Sequence, residues 1–460
     1  MKYIAILLLG IIPLNLYASR EERNYVTFEP EADSFPLVSS GRTASIVYDV
    51  ADDQVVRIAA GLFAADLERV SGVRAITNSM EQLTGCPLIV GSIGKNSLIQ
   101  KLIHSGKLDV AAIENQWEAS ITQVVENPFP GTERALVIAG SDRRGTAYGI
   151  LDLSRQIGVS PWYWWADVPV EKHTEIYVSR NHLQGSPSVK YRGIFINDED
   201  WGMHPWAEKN FSPGDQGIGP KVYRRVFELL LRLKANHIWP AMHVCSRAFN
   251  GFEENKQLAD DYAIVMGSSH CEPMLRNNVW EWDNWSSADG TPRGPWDWSR
   301  NAAHMTEYWR DAVQQNKDFE NVYTVGLRAL HDTPMEAKGL SMKEKMMLLQ
   351  DEVLPAQRGI LTEQLGDATR VPQIFCPYKE VLKLYNLGMK LPEDITLMWP
   401  DDNYGFMRRL SNAEERKRSG GAGVYYHVSY FTGPWLWLCT TPPSLVWEEM
   451  SKAYACLLYT

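Results

Sequence analysis

The chain has 460 residues, of which 45% are hydrophobic and 22% are charged, and its formal net charge is −10 at pH 7. This length exceeds that of one ordinary domain, so we expect two or three domains. An acidic chain without a run of lysine and arginine lacks the basic face that nucleic-acid phosphates require, which excludes a nucleic-acid partner.

The N-terminus has the pattern of a secretory signal peptide. Lys2 precedes an apolar run from Tyr3 to Leu16, and the small residues Ala18 and Ser19 follow. The run is shorter than the ~20 apolar residues of a membrane-spanning helix. We therefore predict that residues 1–19 are removed, and that the exported protein resides in the periplasm or outside the cell without a membrane anchor.

Residues 20–185 are predicted to form a small α/β domain, because short β-rich runs alternate with helical ones. The predicted strands lie at 45–48, 87–91 and 135–140, and the predicted helices at 55–70, 97–104 and 146–157. A polar, turn-rich stretch at 181–188 marks the boundary with the next domain.

Residues 186–460 are predicted to form a catalytic (β/α) domain. Its strand candidates number seven and begin near Val189, Asn236, Tyr262, Val322, Val371, Ile395 and Gly423. Repeated strand–helix units form either a doubly wound sheet or a closed barrel, and the absence of a Gly-x-Gly-x-x-Gly motif favours the barrel. Since a closed barrel needs eight strands, we predict an incomplete (β/α)8-type TIM barrel, truncated at the C-terminus.

The first helix of this domain is predicted over 221–234. One face then carries Val222, Val226, Leu229, Leu230 and Leu233 at helical spacing. That apolar face is expected to pack on a sheet, with Arg224, Arg225 and Arg232 outside.

Polar and ionisable residues follow the strand candidates in turn, as at the active face of a barrel. In strand order they are Asn197, Asp198, Glu199 and Asp200, then His243, then His270 and Glu272, then Arg328 and Asp332, then Glu380, then Asp401, Asp402 and Asn403, and last Tyr425, Tyr426 and His427. Glycosidic cleavage needs one acid to protonate the leaving oxygen and one carboxylate to activate water or attack carbon. An excess of acids therefore indicates glycoside hydrolysis. Acyl transfer is disfavoured, because the sequence has no Gly-x-Ser-x-Gly nucleophile elbow.

Each of these residues also has a purely structural interpretation. An acid at a strand end can cap a helix or pair with a loop arginine, and this is the preferred interpretation for Asp200 and Asp401. His243 and His270 can be hydrogen-bonded core residues, and their separation does not match a metal site, so no metal or cofactor is expected.

Arg328 and Asp332 lie on one side of the fourth strand if the extended conformation continues that far. The guanidinium would then keep Asp332 anionic, as a general base requires, or bind an anionic group of the substrate. Glu380 stands at the predicted start of a helix and needs an apolar pocket to act as a proton donor.

Six segments of the chain resemble glycoside hydrolase family 115, the xylan α-1,2-glucuronidases. These segments are 191–200, 233–243, 267–274, 326–328, 399–405 and 424–427. The resemblance implies an inverting, exo-acting enzyme that releases glucuronic acid or 4-O-methylglucuronic acid from glucuronoxylan or its oligosaccharides. It also implies a further strand and additional domains in full-length members, which can form homodimers.

The resemblance implies roles for particular residues. It assigns the acid and base to Glu380 and Asp332, with Asp198 and Glu199 as rivals. The residues that would hold the uronate and the rest of the substrate are Asn197, His243, His270, Glu272, Arg328, Asp402, Asn403, Tyr425 and His427. Two alternatives stay open, which are another glycosidase such as a hexosaminidase, and a truncated, inactive carbohydrate-binding product.

Overall fold

The computed structural model describes residues 24–79, 85–197, 199–211, 217–428, 430 and 441–457. The chain divides into two compact units after Gly185, except that the short segments Asp53–Ile58 and Asp142–Tyr148 group with the second unit. The predicted signal peptide, residues 1–19, lies outside the described residues. Within the described ranges, every helix is too short or too polar to cross a membrane.

The first unit is a mixed α/β structure. Its strands are Val26–Thr27 (β1), Phe35–Ser39 (β2), Arg42–Thr43 (β3), Ile46–Tyr48 (β4), Thr77–Ser79 (β5), Leu88–Ser92 (β6), Ser120–Phe129 (β7), Thr132–Gly140 (β8), Ile176–Val178 (β9) and His182–Gln184 (β10). The helices in this part of the chain are Gln54–Ser71 (α1), Ser97–His104 (α2) and Arg143–Gln156 (α3). These bounds confirm the strands and helices predicted from the sequence to within a few residues.

Two sheets organise this first unit. Strands β1, β9, β2 and β3 pair antiparallel, whereas the larger sheet has the order β10-β7-β8-β6-β4-β5. Strand β7, which contains the Asn127-Pro128 step, was not predicted from the sequence. The structure accommodates this step with a shift in the register of the β7–β8 pair between Glu126 and Phe129, and closes the hairpin at Gly131, whose φ is 82°.

The second unit consists of short strands that alternate with longer helices. The strands are Gly193–Phe195 (β11), His237–Trp239 (β12), Val265–Met266 (β13), Tyr323–Thr324 (β14), Gln373–Phe375 (β15), Thr396–Pro400 (β16) and Ala422–Tyr425 (β17). The helices are Met203–Asn210 (α4), Pro220–Arg232 (α5), Glu253–Asp261 (α6), Asn278–Asn284 (α7), Trp298–Asn316 (α8), Met342–Leu348 (α9), Leu354–Leu365 (α10), Glu380–Asn386 (α11) and Pro443–Leu457 (α12). A π-helical segment, Leu349–Val353, joins α9 to α10.

These strands lie side by side in chain order and all run in the same direction. Strands β11 to β13 form one parallel sheet and β14 to β17 another. A parallel bridge between Met266 and Asn321 joins the two, with the Val322 N–H donating to the Met266 carbonyl at 2.8 Å. The carboxyl ends of all seven strands therefore meet at one edge.

The predicted strand positions and the mixed α/β class are confirmed, but the incomplete (β/α)8-type barrel stays a prediction. No hydrogen-bonded pairing between β11 and β17 is found among the described residues. Aromatic rings nevertheless meet across the interior, since Tyr425 of β17 lies 6.0 Å from Phe195 of β11 and 5.3 Å from Trp239 of β12, measured between ring centroids.

Helix α5 shows where the sequence pattern was correct and where it was not. Val222, Val226 and Leu229 are buried as predicted, because they share the apolar face. The helix ends at Arg232, so Leu233 lies beyond it and is 41% exposed rather than buried. Arg232 is buried instead, because its Nε donates to the Glu228 carboxylate at 3.0 Å on the same face.

The main core of this unit is rich in tryptophan. Trp282, Trp296, Trp298 and Trp309 are all buried in one cluster with Tyr308. Their rings contact one another edge to face or stacked, with Trp282 and Trp296 centroids 5.0 Å apart. Most of the tryptophans between 280 and 309 are therefore packing residues rather than sugar-binding platforms.

Buried amide and guanidinium groups hold the strand ends in place. The Gln357 side chain of α10 accepts from the Gly326 N–H at 2.8 Å and donates to the Gly326 carbonyl at 2.8 Å. Asn236 accepts from the Arg192 N–H at 2.9 Å, ahead of β11. Arg418 donates to the carbonyls of Leu391 and Ile395, ahead of β16. These contacts satisfy backbone groups that strands of only two to five residues leave unpaired.

Replacing Gln357 with leucine is expected to lower the free energy of unfolding by about 1–3 kcal/mol, because both polar groups of Gly326 lose their buried partner. Gln364→Leu on the same helix is the matched control, since the hydrogen bond of the Gln364 amide found within the described ranges is to the neighbouring Glu363, and its loss should change stability by less than ~0.5 kcal/mol. Chemical denaturation measures both values. Equal losses in the two variants would contradict the role of the Gln357 contact.

Candidate active site

Each strand of the second unit ends in a loop that carries at least one of the predicted site residues. The strands are short and parallel, so these loops leave the same edge of the sheets. Two groups of side chains form there. One is centred on Arg328, and the other, called the Glu199 group, consists of His243 with Asn197, Glu199 and Asp200 around it.

Arg328 is the centre of the first group and is only 1% exposed. Its Nε donates to Glu380 Oε1 at 3.0 Å and its Nη2 donates to Glu380 Oε2 at 2.7 Å. The third guanidinium nitrogen, Nη1, contacts Asp332. A buried guanidinium with two carboxylates has its charge compensated, and the fork with Glu380 fixes its orientation.

Asp332 lies between two further groups besides Arg328. Lys379 Nζ donates to Asp332 Oδ2 at 2.6 Å, and His270 Nδ1 is 3.5 Å from Asp332 Oδ1. The prediction that the fourth strand stays extended as far as Asp332 is wrong, because β14 ends at Thr324. A short turn, Leu330–Asp332, brings the carboxylate back to Arg328, with φ of 56° at His331 and 59° at Asp332.

His270 is buried between aromatic rings and cations. Its ring centroid is 4.4 Å from that of Tyr378 and 5.6 Å from that of Tyr425. Burial holds the pKa of His270 well below its ordinary value, and the charges of Arg328, Lys379 and His427 lower it further. The imidazole is therefore neutral at pH 7 and can both donate and accept a hydrogen bond.

His427 and Asp401 form a buried pair at the ends of β17 and β16. His427 Nδ1 contacts Asp401 Oδ1, and Asp401 Oδ2 accepts from the Gly405 N–H at 3.0 Å. Among the described residues, His427 Nε2 has no hydrogen-bond partner. From the sequence, the preferred role of Asp401 was to cap a helix or to pair with a loop lysine or arginine. In the structure its carboxylate contacts His427 and so fixes the orientation of that imidazole.

The second group surrounds His243, in the loop after β12. His243 Nδ1 is 3.0 Å from Asp200 Oδ1, and its Nε2 is 3.1 Å from Asn197 Oδ1. The His243 backbone N–H donates to Glu199 Oε1 at 2.6 Å. Burial raises the pKa of Glu199, although the nearby charge of His243 and several hydrogen bonds oppose the shift.

Glu272 occupies a different position from the residues at the rim. Its Oε2 accepts from the Asn278 N–H, and the side chain lines an internal cavity of about 30 Å³ together with Ser268 and Asn277. Complete burial raises the pKa of Glu272 well above its ordinary value, and the charge of Glu281 adds to the effect. A substrate-binding role for Glu272 stays a prediction.

The remaining predicted residues have mixed surroundings. Asp402 accepts from the N–H groups of Tyr404 and Phe406 and pairs with Arg408 at 2.7 Å, which are the contacts of a turn residue. Asn403 Oδ1 accepts from the Tyr378 hydroxyl at 3.0 Å. Asp198 lies outside the described residues.

Lys379 and Tyr378 are site residues that sequence reasoning missed. Lys379 has a φ of 50° and immediately precedes α11, so its side chain reaches back to Asp332 instead of continuing the helix. Tyr378 contacts His270 and Asn403. The signal was their position, because Cys376-Pro377-Tyr378-Lys379 follows β15 as the acids follow the other strands.

His270, Cys271 and Asp332 place potential metal ligands within 4.8 Å of one another. The surrounding charge opposes a cation there, because Arg328 and Lys379 already contact Asp332. Burial also raises the pKa of the Cys271 thiol to about 12, which disfavours the thiolate that a metal requires. An anion fits this surrounding better than a cation does.

The arrangement of carboxylates, a buried arginine and aromatic rings at the ends of parallel strands is typical of glycoside hydrolases. The model of glycosyl hydrolase family 115 matches residues 184–458. A solved family GH115 4-O-methyl-α-glucuronidase with specificity for decorated arabinogalactans is 42% identical, with a TM-score of 0.82 over 92% of this chain and 54% of that one. This chain therefore belongs to glycosyl hydrolase family 115.

Other comparisons add less. Flavobacterium johnsoniae chitobiase is 12% identical, with a TM-score of 0.46 over 94% of this chain and 71% of that one, a likeness too low to carry an argument. No curated protein sequence matches the chain. The chain spans about half the length of the solved family member, as the 54% coverage shows.

The raised pKa of Glu272 predicts a pH-dependent difference in stability. Because the folded-state pKa exceeds the unfolded value of about 4.5, the stabilising contribution of the protonated form is complete below that value and is lost as pH rises through the folded-state pKa. Glu272→Gln should therefore gain stability relative to the wild type as pH rises above about 4.5. Thermal unfolding between pH 4 and 8 measures this difference. The control Glu254→Gln changes an exposed residue of α6, and its melting temperature should depend on pH as that of the wild type does. The prediction would be contradicted if the melting temperature of Glu272→Gln also had the pH dependence of the wild type.

Proposed function

We propose that this protein is an exo-acting glycoside hydrolase that releases α-1,2-linked glucuronic acid or 4-O-methylglucuronic acid from the side branches of a polysaccharide. The observation that carries the proposal is the Arg328 group, in which two cations, two carboxylates and a neutral histidine lie within contact distance. A uronic acid differs from other sugars by its carboxylate, and a guanidinium is the side chain that binds a carboxylate at two points.

Asp332 is proposed as the general base that activates water. Arg328 and Lys379 both contact its carboxylate, and their positive charges favour an anionic acceptor. His270, 3.5 Å away and neutral, can orient a water or a sugar hydroxyl without adding charge. Water activated on the face opposite the leaving group gives inversion, which we propose as the stereochemical course.

Glu380 is proposed as the proton donor, although it forms a two-point ion pair with Arg328 in this structure. Both carboxylate oxygens of Glu380 accept from Arg328 in this pair. We propose that the uronate of the substrate takes the place of Glu380 on Arg328, and that the released Glu380 takes up a proton from solvent and then donates it to the leaving oxygen. Glu199 is the second candidate donor, because burial raises its pKa.

Glucuronoxylan is the proposed substrate, and decorated arabinogalactan is the second candidate. The solved family member at 42% identity acts on decorated arabinogalactans. Both polymers would present the same uronate at a chain branch, so the Arg328 group does not distinguish them. The distinction depends on contacts with the sugars next to the uronate.

Two further proposals accompany the activity. We propose that β11 to β17 belong to a (β/α)8-type barrel, supported by their consecutive parallel order and by the contacts of Tyr425 with Phe195 and Trp239. We also propose export from the cell, supported by Lys2 and the apolar run that follows it.

The activity is tested by incubating the purified protein with glucuronoxylan, with decorated arabinogalactan and with an aryl N-acetylhexosaminide. We expect uronic acid to be released from at least one polymer, with the inverted anomer seen first by proton NMR, and no cleavage of the hexosaminide.

Asp332→Asn should lower kcat by about 10²–10⁴-fold because the base is lost. Asp351→Asn, which changes an exposed residue of the π-helical segment before α10, is the matched control and should retain full activity. A protein that binds either polymer but releases no uronate would support the inactive carbohydrate-binding alternative instead.

The proton donor is identified by pH profiles and leaving groups. Glu380→Gln should lose the decline of kcat/KM at high pH that reports the acid, and should retain most activity on an aryl glucuronide whose phenol leaves without protonation. Glu199→Gln should keep the high-pH decline of kcat/KM and should act on both kinds of substrate as the wild type does. If Glu199→Gln loses this decline and Glu380→Gln keeps it, Glu199 is the proton donor instead of Glu380.

A further inference from the structure

A second pocket lies beside the Glu199 group, within the same unit. Its volume is about 380 Å³, within the ~300–1,000 Å³ of typical small-molecule sites. Its lining includes His204, Glu208, Cys245, Trp280, Asp283 and Asn284. They come from α4, from the loop after β12 and from α7.

The walls of this pocket continue the loops that carry the site residues. Helix α4 follows Glu199 and Asp200, Cys245 follows His243 by two positions, and α7 begins six positions after Glu272. His243, two positions before Cys245, contacts Asp200 through its side chain at 3.0 Å and Glu199 through its backbone N–H at 2.6 Å. The loop that carries Cys245 therefore lies beside the Glu199 group.

The pocket offers the two kinds of contact that a sugar ring needs. Trp280 is half-buried and lines the pocket, whereas the neighbouring Trp282 is buried in the core. An aromatic face packs against the C–H face of a pyranose. His204 Nε2 is buried and has no hydrogen-bond partner among the described residues, so it can bind a hydroxyl.

The charge of the pocket excludes the uronate itself. Glu208 and Asp283 are acidic, and the described lining residues include no lysine or arginine. Arg293 contacts Asp283 but lies outside the lining. An anionic sugar would find no cation among the described lining residues, whereas Arg328 and Lys379 supply two cations in the Arg328 group, so the two places favour different sugars.

We propose that this pocket is a subsite for neutral pyranose residues of the main chain that bears the uronic acid. The proposal rests on the proposed function in one respect, namely that the substrate is a branched polysaccharide. Trp280 provides the stacking surface, while His204, Glu208 and Asn284 bind hydroxyls. The subsite would hold the main chain while the uronate lies at Arg328.

Binding of uncharged oligosaccharides tests the subsite without any catalysis. Xylotetraose and a β-linked galactotriose are titrated separately by calorimetry and by saturation-transfer NMR, which distinguishes a xylan main chain from a galactan one. We expect one of them to bind the wild type, and Trp280→Ala and His204→Ala each to weaken that binding on the order of tenfold. Trp447→Ala, which removes a 71% exposed tryptophan of α12, is the matched control and should bind as the wild type does.

Kinetics separate the failure of this proposal from the failure of the proposed activity. On the branched polymer, Trp280→Ala should raise KM with little change in kcat, and on an aryl glucuronide it should change neither. His204→Ala serves in its place if the tryptophan variant has a lowered melting temperature. Absence of binding to either oligosaccharide, or equal binding by all variants, would overturn the subsite. Loss of binding in the two pocket variants would support it even if no uronate is released.

Discussion

The compensation of one buried charge organises the candidate active site. Arg328 is almost completely withdrawn from water, and an unpaired guanidinium in that position would cost several kcal/mol. Glu380 and Asp332 supply the opposite charges, and each lies at the end of a different parallel strand or in the loop that follows it. The need to keep Arg328 paired therefore constrains the geometry of the rim, because a further anion can reach the guanidinium only by replacing one of its two partners.

The positions of the seven strands could be predicted from the sequence, because each is a short β-rich run followed by polar residues. The conformation after β14 could not be predicted by alternation, because His331 and Asp332 adopt positive φ and reverse the chain within three residues. The two strand ends that hold Asp401 and His427 illustrate a different limit. Their proximity depends on the register of β16 with β17, in which Pro400 lies opposite Tyr425, and a single sequence does not contain that register.

The tryptophan residues show why composition alone could not locate a sugar-binding surface. The sequence contains 17 of them, and several cluster between 280 and 309. In the structure Trp282, Trp296, Trp298 and Trp309 are part of the core, whereas Trp280 lines a pocket. The position around helix α7 explains why Trp282 is in the core and Trp280 lines the pocket, because the two residues are separated by about 200° around the helix axis. The same residue type therefore supports the fold on one side of a helix and is available to a ligand on the other.

The strands that carry the rim are unusually short, and this has a consequence for how the protein tolerates sequence change. Since a strand of two or three residues forms few ladder bonds, side chains such as Gln357, Asn236 and Arg418 complete the pairing from outside the sheets. Gln357 fixes Gly326, two residues before Arg328, whereas Asn236 and Arg418 fix the opposite ends of β11 and β16. Substitution of any of these buried groups would disturb the strands that support the site, so a survey of inactivating substitutions should recover scaffold positions together with the acids.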